Sequence, residues 1–304
     1  MQRNCPPVDS ARPGRGRSGT VPLVDPELAL SLRGGSARWS DLARDVARST
    51  LLRAVRDGRV QRPGRGVFAL PGAEPVQVAA LRVGGVLSCQ SAAAARGWSL
   101  LRPPTAVHLQ VAAGSRRTLR GAVLHRSGTA LPVGGCADQL TMVVGAVRCL
   151  PLVEAVVLLD GLVRDGVLDT DDLEALAGAL PPRFPHRRAF ALVDPRAESV
   201  LESAVRVGCV LAGLEVASQV RLAGVGRTDL LVEGWLVVET DGREHHGGAF
   251  AEDRRRDART AQLGGLTLRF TWADVVHRLE ETAQLIAEVA LAGPRGRGRP
   301  VPPG

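Results

Sequence analysis

Apolar positions along the chain change period several times, and each change marks an expected element. ESVLESAVRVGCVLAGL, from Glu198, repeats Val200, Leu201, Ala204, Val205 and Val207 at helical spacing. TDLLV and WLVVE then read as two strands, joined by a turn at Glu233-Gly234. AEDRRRDARTAQLGG returns to a helical pattern. Further upstream, PLVEAVVLLDGLVRDG is an amphipathic helix, and the turn LDTDD starts a short helix over LEALAGAL. SAAAARGW reads as helix, whereas AVHLQVAA and GAVLHRS read as strands. His108 and His125 sit at alternating positions of those strands, where histidines are ordinarily packed or surface residues rather than ligands.

From Trp39 to Leu70 the pattern is helix, turn, helix and two short strands. Ser40 is placed to cap a helix over DLARDVA, and Ser49 with Thr50 to cap a second over LLRAVRDG, closed by Gly58. VQR and GVFAL form a hairpin with its turn expected at Pro63-Gly64. This order is the layout of a winged helix, in which the second helix enters the major groove and the wing touches backbone. Arg53 and Arg56 on the helix, with Arg62 and Arg65 on the wing, are the DNA-binding candidates there. Helix-hairpin modules also dock proteins, and arginines three apart also occur on plain solvated faces.

The expected organisation is a disordered segment at 1–25, a winged helix-turn-helix at 36–75 and a mixed α/β connecting domain at 76–185. A nuclease-type α/β domain follows at 195–291, then an Arg/Gly/Pro tail at 292–304. Pro181, Pro182 and Pro185 mark the expected boundary before the last domain. The fold class is therefore α/β.

Charge and composition narrow the chemistry. All 39 basic residues are arginine, so no mechanism here uses a lysine ammonium. The formal net charge of +8 suits a polyanion such as double-stranded DNA, although coding bias toward arginine gives a similar balance. Five scattered cysteines without a CxxC pair argue against a disulfide framework or a zinc site and for reduced thiols. The longest apolar stretch is broken by Glu154 and Asp160, and the amino terminus lacks a signal-like apolar run. A cytoplasmic protein with no membrane partner is expected.

The chemistry concentrates in the last domain. Asp229 and Glu239 emerge on adjacent strands, and Asp241 follows Glu239 on the same strand face. Such a group repels itself unless a hard cation neutralises it, and oxygen ligands suit Mg2+ or Mn2+. The candidate metal ligands are Asp229, Glu239 and Asp241. Beyond them lie Arg243, His245 and His246, a histidine being suited to protonate a leaving oxygen or hold a water. Taken singly, the acids are ordinary strand ends and ETDG an ordinary turn; their order within one domain is what carries weight.

Several of these pieces form a recognisable set: SVLES around Glu202, Gln219, TDL at Asp229, ETDG at 239–242, the histidine pair, RD at Arg256-Asp257, LGG and LRF. The segment from Ser199 to about Trp272 resembles the very-short-patch-repair-like (Vsr-like) branch of the PD-(D/E)XK endonuclease superfamily, and most closely the bacterial domain-of-unknown-function family 559. The resemblance implies a restriction-endonuclease-like α/β core, with metal held at Asp229 and Glu239 and supported by Glu202. It implies catalytic accessory roles for His245, His246 and Asp257, and DNA contacts from Arg243, Arg254 and Arg256. Asp241 stands where the superfamily has lysine, which leaves open whether it binds metal itself or supports a ligand. The amino-terminal half, through RGVFAL and SAAA, resembles the winged-helix domain of AbiEi-type antitoxins. That implies DNA binding and membership of a toxin-antitoxin or defence locus, with a toxin or a second copy as partner.

Three functions follow as expectations: a magnesium-dependent DNA endonuclease delivered by its winged helix, an antitoxin-like or transcriptional regulator built on an inactive nuclease fold, and a protein-docking adaptor.

Overall fold

A computed structural model describes residues 24–128, 131, 136–241 and 250–294. It is a mixed α/β structure with three sheets. Its contacts divide the chain into two units, one of residues 1–97 and 104–146, the other of residues 98–103 and 147–304.

In the amino-terminal unit, α1 (Pro26–Ser31) starts under the Asp25 cap and β1 (Ser36–Arg38) leads into α2 (Trp39–Leu42). Then come α3 (Arg48–Arg56), β2 (Gln61–Gly64) and β3 (Val67–Ala69), in a sheet of order β1-β3-β2. Leu30, Leu42, Leu51, Ala54, Val60 and Phe68 fill the core between helices and sheet. Ser40 is not the cap: α2 begins after Arg38, whose backbone N–H donates to Asp41 at 3.3 Å, and it ends at Leu42. Nor do Ser49 and Thr50 cap α3, which follows Ala47. The hairpin turn is Arg65-Gly66 rather than Pro63-Gly64. Gly64 pairs with Val67, and Gly66 takes the left-handed conformation the turn needs, at φ 70°.

The same unit continues with α4 (Pro75–Val83), β4 (Val86–Leu87), α5 (Cys89–Ala95), β5 (Val107–Ala112) and β6 (Ala122–Ser127). β4 pairs antiparallel with β5, and β5 pairs parallel with β6. α6 (Gln139–Cys149) is one continuous helix, and the division between the units falls within it, after Ala146.

The carboxy-terminal unit holds α7 (Leu152–Arg164), α8 (Thr170–Ala179), a 3-10 turn at Arg187–Leu192 and α9 (Val200–Leu211). Next come β7 (Val216–Leu222), β8 (Gly226–Val232), β9 (Leu236–Asp241), α10 (Phe250–Gln262), β10 (Leu266–Thr271), α11 (Trp272–His277) and α12 (Leu279–Ala292). The sheet order is β10-β9-β8-β7, antiparallel except for the parallel β9–β10 pair. Leu201, Ala204 and Val205 of α9 pack with Leu230, Val232, Leu236 and Val238 in the main core. The alternate positions Leu231 and Val237 join a second cluster with Leu222 and Val225. This alternation is the period-2 pattern of a sheet buried on both faces.

The proline cluster at 181–185 does not separate the units. α7, within the expected connecting domain, belongs with α9 because Asp160 is wholly buried and paired with buried Arg206 at 2.9 Å. Asp160 also accepts the backbone N–H of Asp194 at 2.9 Å. Segments 76–97 and 104–146 of that expected domain lie in the amino-terminal unit, and the rest lies in the other.

Candidate functional site

The acidic ends of β8 and β9 lie together because of the strand register. Leu230 faces Val238 and Val232 faces Leu236, so the hairpin count brings Asp229 opposite Glu239. Glu233 and Gly234 both have positive φ, 51° and 69°, and with Trp235 they make the three-residue connection from Val232 to Leu236 that fixes this register. The apolar ends of both strands are buried, whereas Asp229, Glu239, Thr240 and Asp241 are half-buried.

Each carboxylate is held differently. Asp229 accepts the backbone N–H of Thr240 at 2.9 Å. Glu239 is bound on one oxygen by Arg256 at 2.7 Å and on the other by Arg269 at 3.0 Å. Arg269 also forms a two-pronged pair with Asp257, at 2.8 and 2.7 Å. Glu202, buried in the first turn of α9, accepts Gln219 at 2.6 Å and the Glu198 N–H at 3.1 Å, and Ser199 caps its helix. Gln219 takes a left-handed φ of 56°, a strained conformation that the Glu202 contact accompanies.

Their electrostatics couple them. Burial pushes the Glu202 carboxyl above its ordinary 4.5, and the negative charge of Asp229 adds to that push. Glu239 is raised for the same two reasons, against the pull of Arg256 and Arg269. The Arg269 hydrogen bonds hold Asp257 below its ordinary value. Asp229 therefore acts on both glutamates, and three acids share one field.

The expected site residues fall into three groups. Glu239 is ion-paired with Arg256 and joined through Arg269 to Asp257, and the charge of Asp229 reaches both Glu239 and Glu202. Asp241 is at the end of β9 on the Glu239 side of the strand. Arg243, His245 and His246 lie outside the described residues. Arg256, an expected DNA contact, bonds Glu239, the Arg227 carbonyl at 2.7 Å and the Val225 carbonyl at 3.2 Å. Arg254 is exposed.

At the amino-terminal module, Arg53, Arg56, Arg62 and Arg65 are all exposed, and among the described residues none is in an ion pair. Arg62 lies 6.0 Å over the Phe68 ring, which anchors its stem on the hairpin.

Sequence reasoning missed one cluster. Cys89, His108, His125 and Cys149 each bring a ligand atom within 4.8 Å of the others, so a buried Cys/His group able to hold a metal is present. Histidines read as packing residues and cysteines read as unrelated thiols thus belong together. Among the described residues it is the single such group of three or more, so Asp229, Glu239 and Asp241, the expected metal ligands, are not gathered as one metal-holding group. Cys136 is disulfide-bonded, against the expectation of thiols throughout, whereas Cys89, Cys149 and Cys209 are reduced.

Compared with known proteins, the chain matches no family model and no curated protein. Among solved structures it is similar to the RV2827C protein from Mycobacterium tuberculosis, at 18% identity and a TM-score of 0.32, over 61% of this chain and 75% of that one. No helix among the described residues is long and apolar enough to cross a membrane.

Proposed function

We propose that this protein is a metal-dependent DNA endonuclease, its carboxy-terminal acids binding Mg2+ or Mn2+ and its amino-terminal module acting as a winged helix on double-stranded DNA. The observation that carries the reading is the opposition of Asp229 and Glu239 on paired strands, in one electrostatic field with Glu202. Oxygen donors are the chemistry a hard cation takes, and the upward push on both glutamates is one a cation would relieve, although binding would need the carboxylates to draw closer than they stand. Asp229 and Glu239 would hold it, with Asp241 beside them. Bound there, a divalent cation supplies Lewis-acid polarisation of a phosphodiester.

The remaining work falls to this chain's own groups. Gln219 holds the Glu202 carboxylate, while Arg256 and Arg269 hold that of Glu239 in place. Guanidinia beside the acids are also the groups suited to steady phosphate oxygens. The exposed arginines of α3 and of the β2–β3 hairpin are suited to phosphates of the duplex.

A second reading has its own observation. Both Glu239 oxygens are already neutralised by arginine, and no lysine is present anywhere in the chain. That favours an AbiEi-like antitoxin or regulator in which a nuclease fold binds DNA without cutting it. Incubation of supercoiled DNA with the protein and Mg2+ or Mn2+, beside EDTA, Asp229→Ala and Glu239→Ala controls, separates the two. Nicking lost in every control supports the endonuclease; wild-type-level nicking by either variant sinks the site assignment. A footprint that survives EDTA, without cleavage, supports the regulator.

A further inference from the structure

The amino-terminal unit and the helix that leaves it gather two thiols and two imidazoles, and the reason lies in the register. Gln110 of β5 faces His125 of β6, so His108, two residues before Gln110, shares a face with His125. The rings stack at 5.4 Å, with His108 Nδ1 only 3.1 Å from His125 Nε2. Two neutral imidazoles satisfy that approach with one proton between them; a cation bound through the in-plane lone pairs of both rings would take that proton's place.

Cys89 is fastened against this pair from both sides. The backbone N–H of Ser88 donates to the His108 carbonyl at 3.2 Å, and the His108 N–H donates to the Ser91 hydroxyl at 2.8 Å. Between these two ties Cys89 takes a left-handed φ of 53°, a conformation costly for any residue but glycine and one that functional positions tolerate. α6 supplies the fourth group. Gly145 passes close to Cys89, where an added Cβ would stand 3.6 Å from the Cys89 Cβ, and its carbonyl accepts the Cys89 thiol at 3.1 Å. Cys149 is one turn further along the same helix face.

We infer that Cys89, His108, His125 and Cys149 form a structural zinc site. Two sulfur and two nitrogen donors are the borderline-soft set that zinc takes with four protein ligands. Bonds of roughly 2.0–2.3 Å to a tetrahedral ion separate ligand atoms by about 3.3–3.8 Å, so donors already within 4.8 Å need only a small contraction. Four protein donors fill a tetrahedral shell and leave no open position for substrate, which makes the role one of holding structure. Binding releases the thiol protons, including the one Cys89 now donates to Gly145, so affinity rises with pH. Cys209 offers a contrast: it is buried in the other unit's core, where burial pushes its thiol up to about 12.

The test is elemental analysis of the full-length protein after incubation with Zn2+ and gel filtration. About one equivalent of zinc is expected in the wild type and in Asp229→Ala, with less than a tenth in Cys149→Ser and His125→Ala. Replacement by Co2+ in the wild type adds a readout that needs no folded variant: intense tetrahedral visible bands with a thiolate charge-transfer band in the near ultraviolet. A wild type that retains no zinc, a Cys149→Ser variant that retains all of it, or a pale six-coordinate cobalt spectrum overturns the assignment. Because zinc content is read without DNA cleavage, failure of the endonuclease reading leaves this result intact.

Discussion

Removing Asp160 tests whether α7 is built into the carboxy-terminal unit. Its carboxylate is wholly buried, accepts Arg206 Nη2 at 2.9 Å and accepts the Asp194 N–H at 2.9 Å. Burial pushes the carboxyl up and Arg206 pulls it back, so the pair holds its charges only by holding each other. Asp160→Ala leaves a guanidinium 7% exposed without its carboxylate, a loss of about 3–5 kcal/mol by analogy with other broken buried pairs. At roughly 2–4 °C per kcal/mol for a unit of this size, the midpoint falls by about 6–20 °C. Asp160→Leu with Arg206→Met removes both charges and recovers most of that loss. Thermal unfolding is followed by tryptophan fluorescence in a Trp39→Phe background, because Trp98, Trp235 and Trp272 then report the carboxy-terminal unit alone. A single variant within about 1 kcal/mol of wild type, or a double variant no better than the single, refutes the reasoning.

Three other outcomes are expected. Arg53→Ala with Arg56→Ala weakens duplex binding and flattens its log-affinity against log-salt slope by about one for each phosphate no longer neutralised, with zinc content unchanged; an unaltered slope removes α3 from the DNA interface. Glu202→Gln stabilises the protein at pH 8 but not at pH 4. A carboxyl raised above 4.5 in the folded state adds stability only while protonated, and that contribution disappears as pH rises through the folded value; equal urea midpoint shifts at both pH values contradict this. Gly161→Ala puts a Cβ 2.4 Å from the Ser99 Cβ and is expected to cost about 1–3 kcal/mol by overcrowding; a chemical-denaturation midpoint at or above wild type rules out the close approach.

Much of the secondary structure was legible because local pattern and burial agree. Val200, Leu201, Ala204 and Val205 repeat at helical spacing, and Leu201, Ala204 and Val205 are among the residues α9 buries in the main core. The turn at Glu233-Gly234 was readable because a short gap between apolar runs leaves few other ways back. The Arg65-Gly66 turn was misplaced by two residues because the stretch holds two glycines, and only pairing across the hairpin chooses between them. Unit boundaries were the least legible. Prolines mark where a helix stops, but whether α7 packs forward or backward depends on a buried partner at Arg206, whose charge in sequence looks like any other arginine.

The two candidate sites differ for the same reason. Asp229 and Glu239 flank one hairpin, so a three-residue connection, Glu233 to Trp235, and a period of two bring them opposite each other within one local reading. The Cys/His group depends instead on the parallel pairing of β5 with β6 across an intervening segment and on α6 passing Cys89 at Gly145. None of its ligands is near another in sequence, so the absence of CxxC spacing argued only against a site built from a single turn. A metal held by one residue each of α5, β5, β6 and α6 ties those four elements together, which is where a small three-stranded sheet with a two-residue edge strand gains from an added crosslink. Histidines on facing strands, with small residues such as Gly145 one turn before a cysteine on a covering helix, are the signal that could have raised the question from sequence.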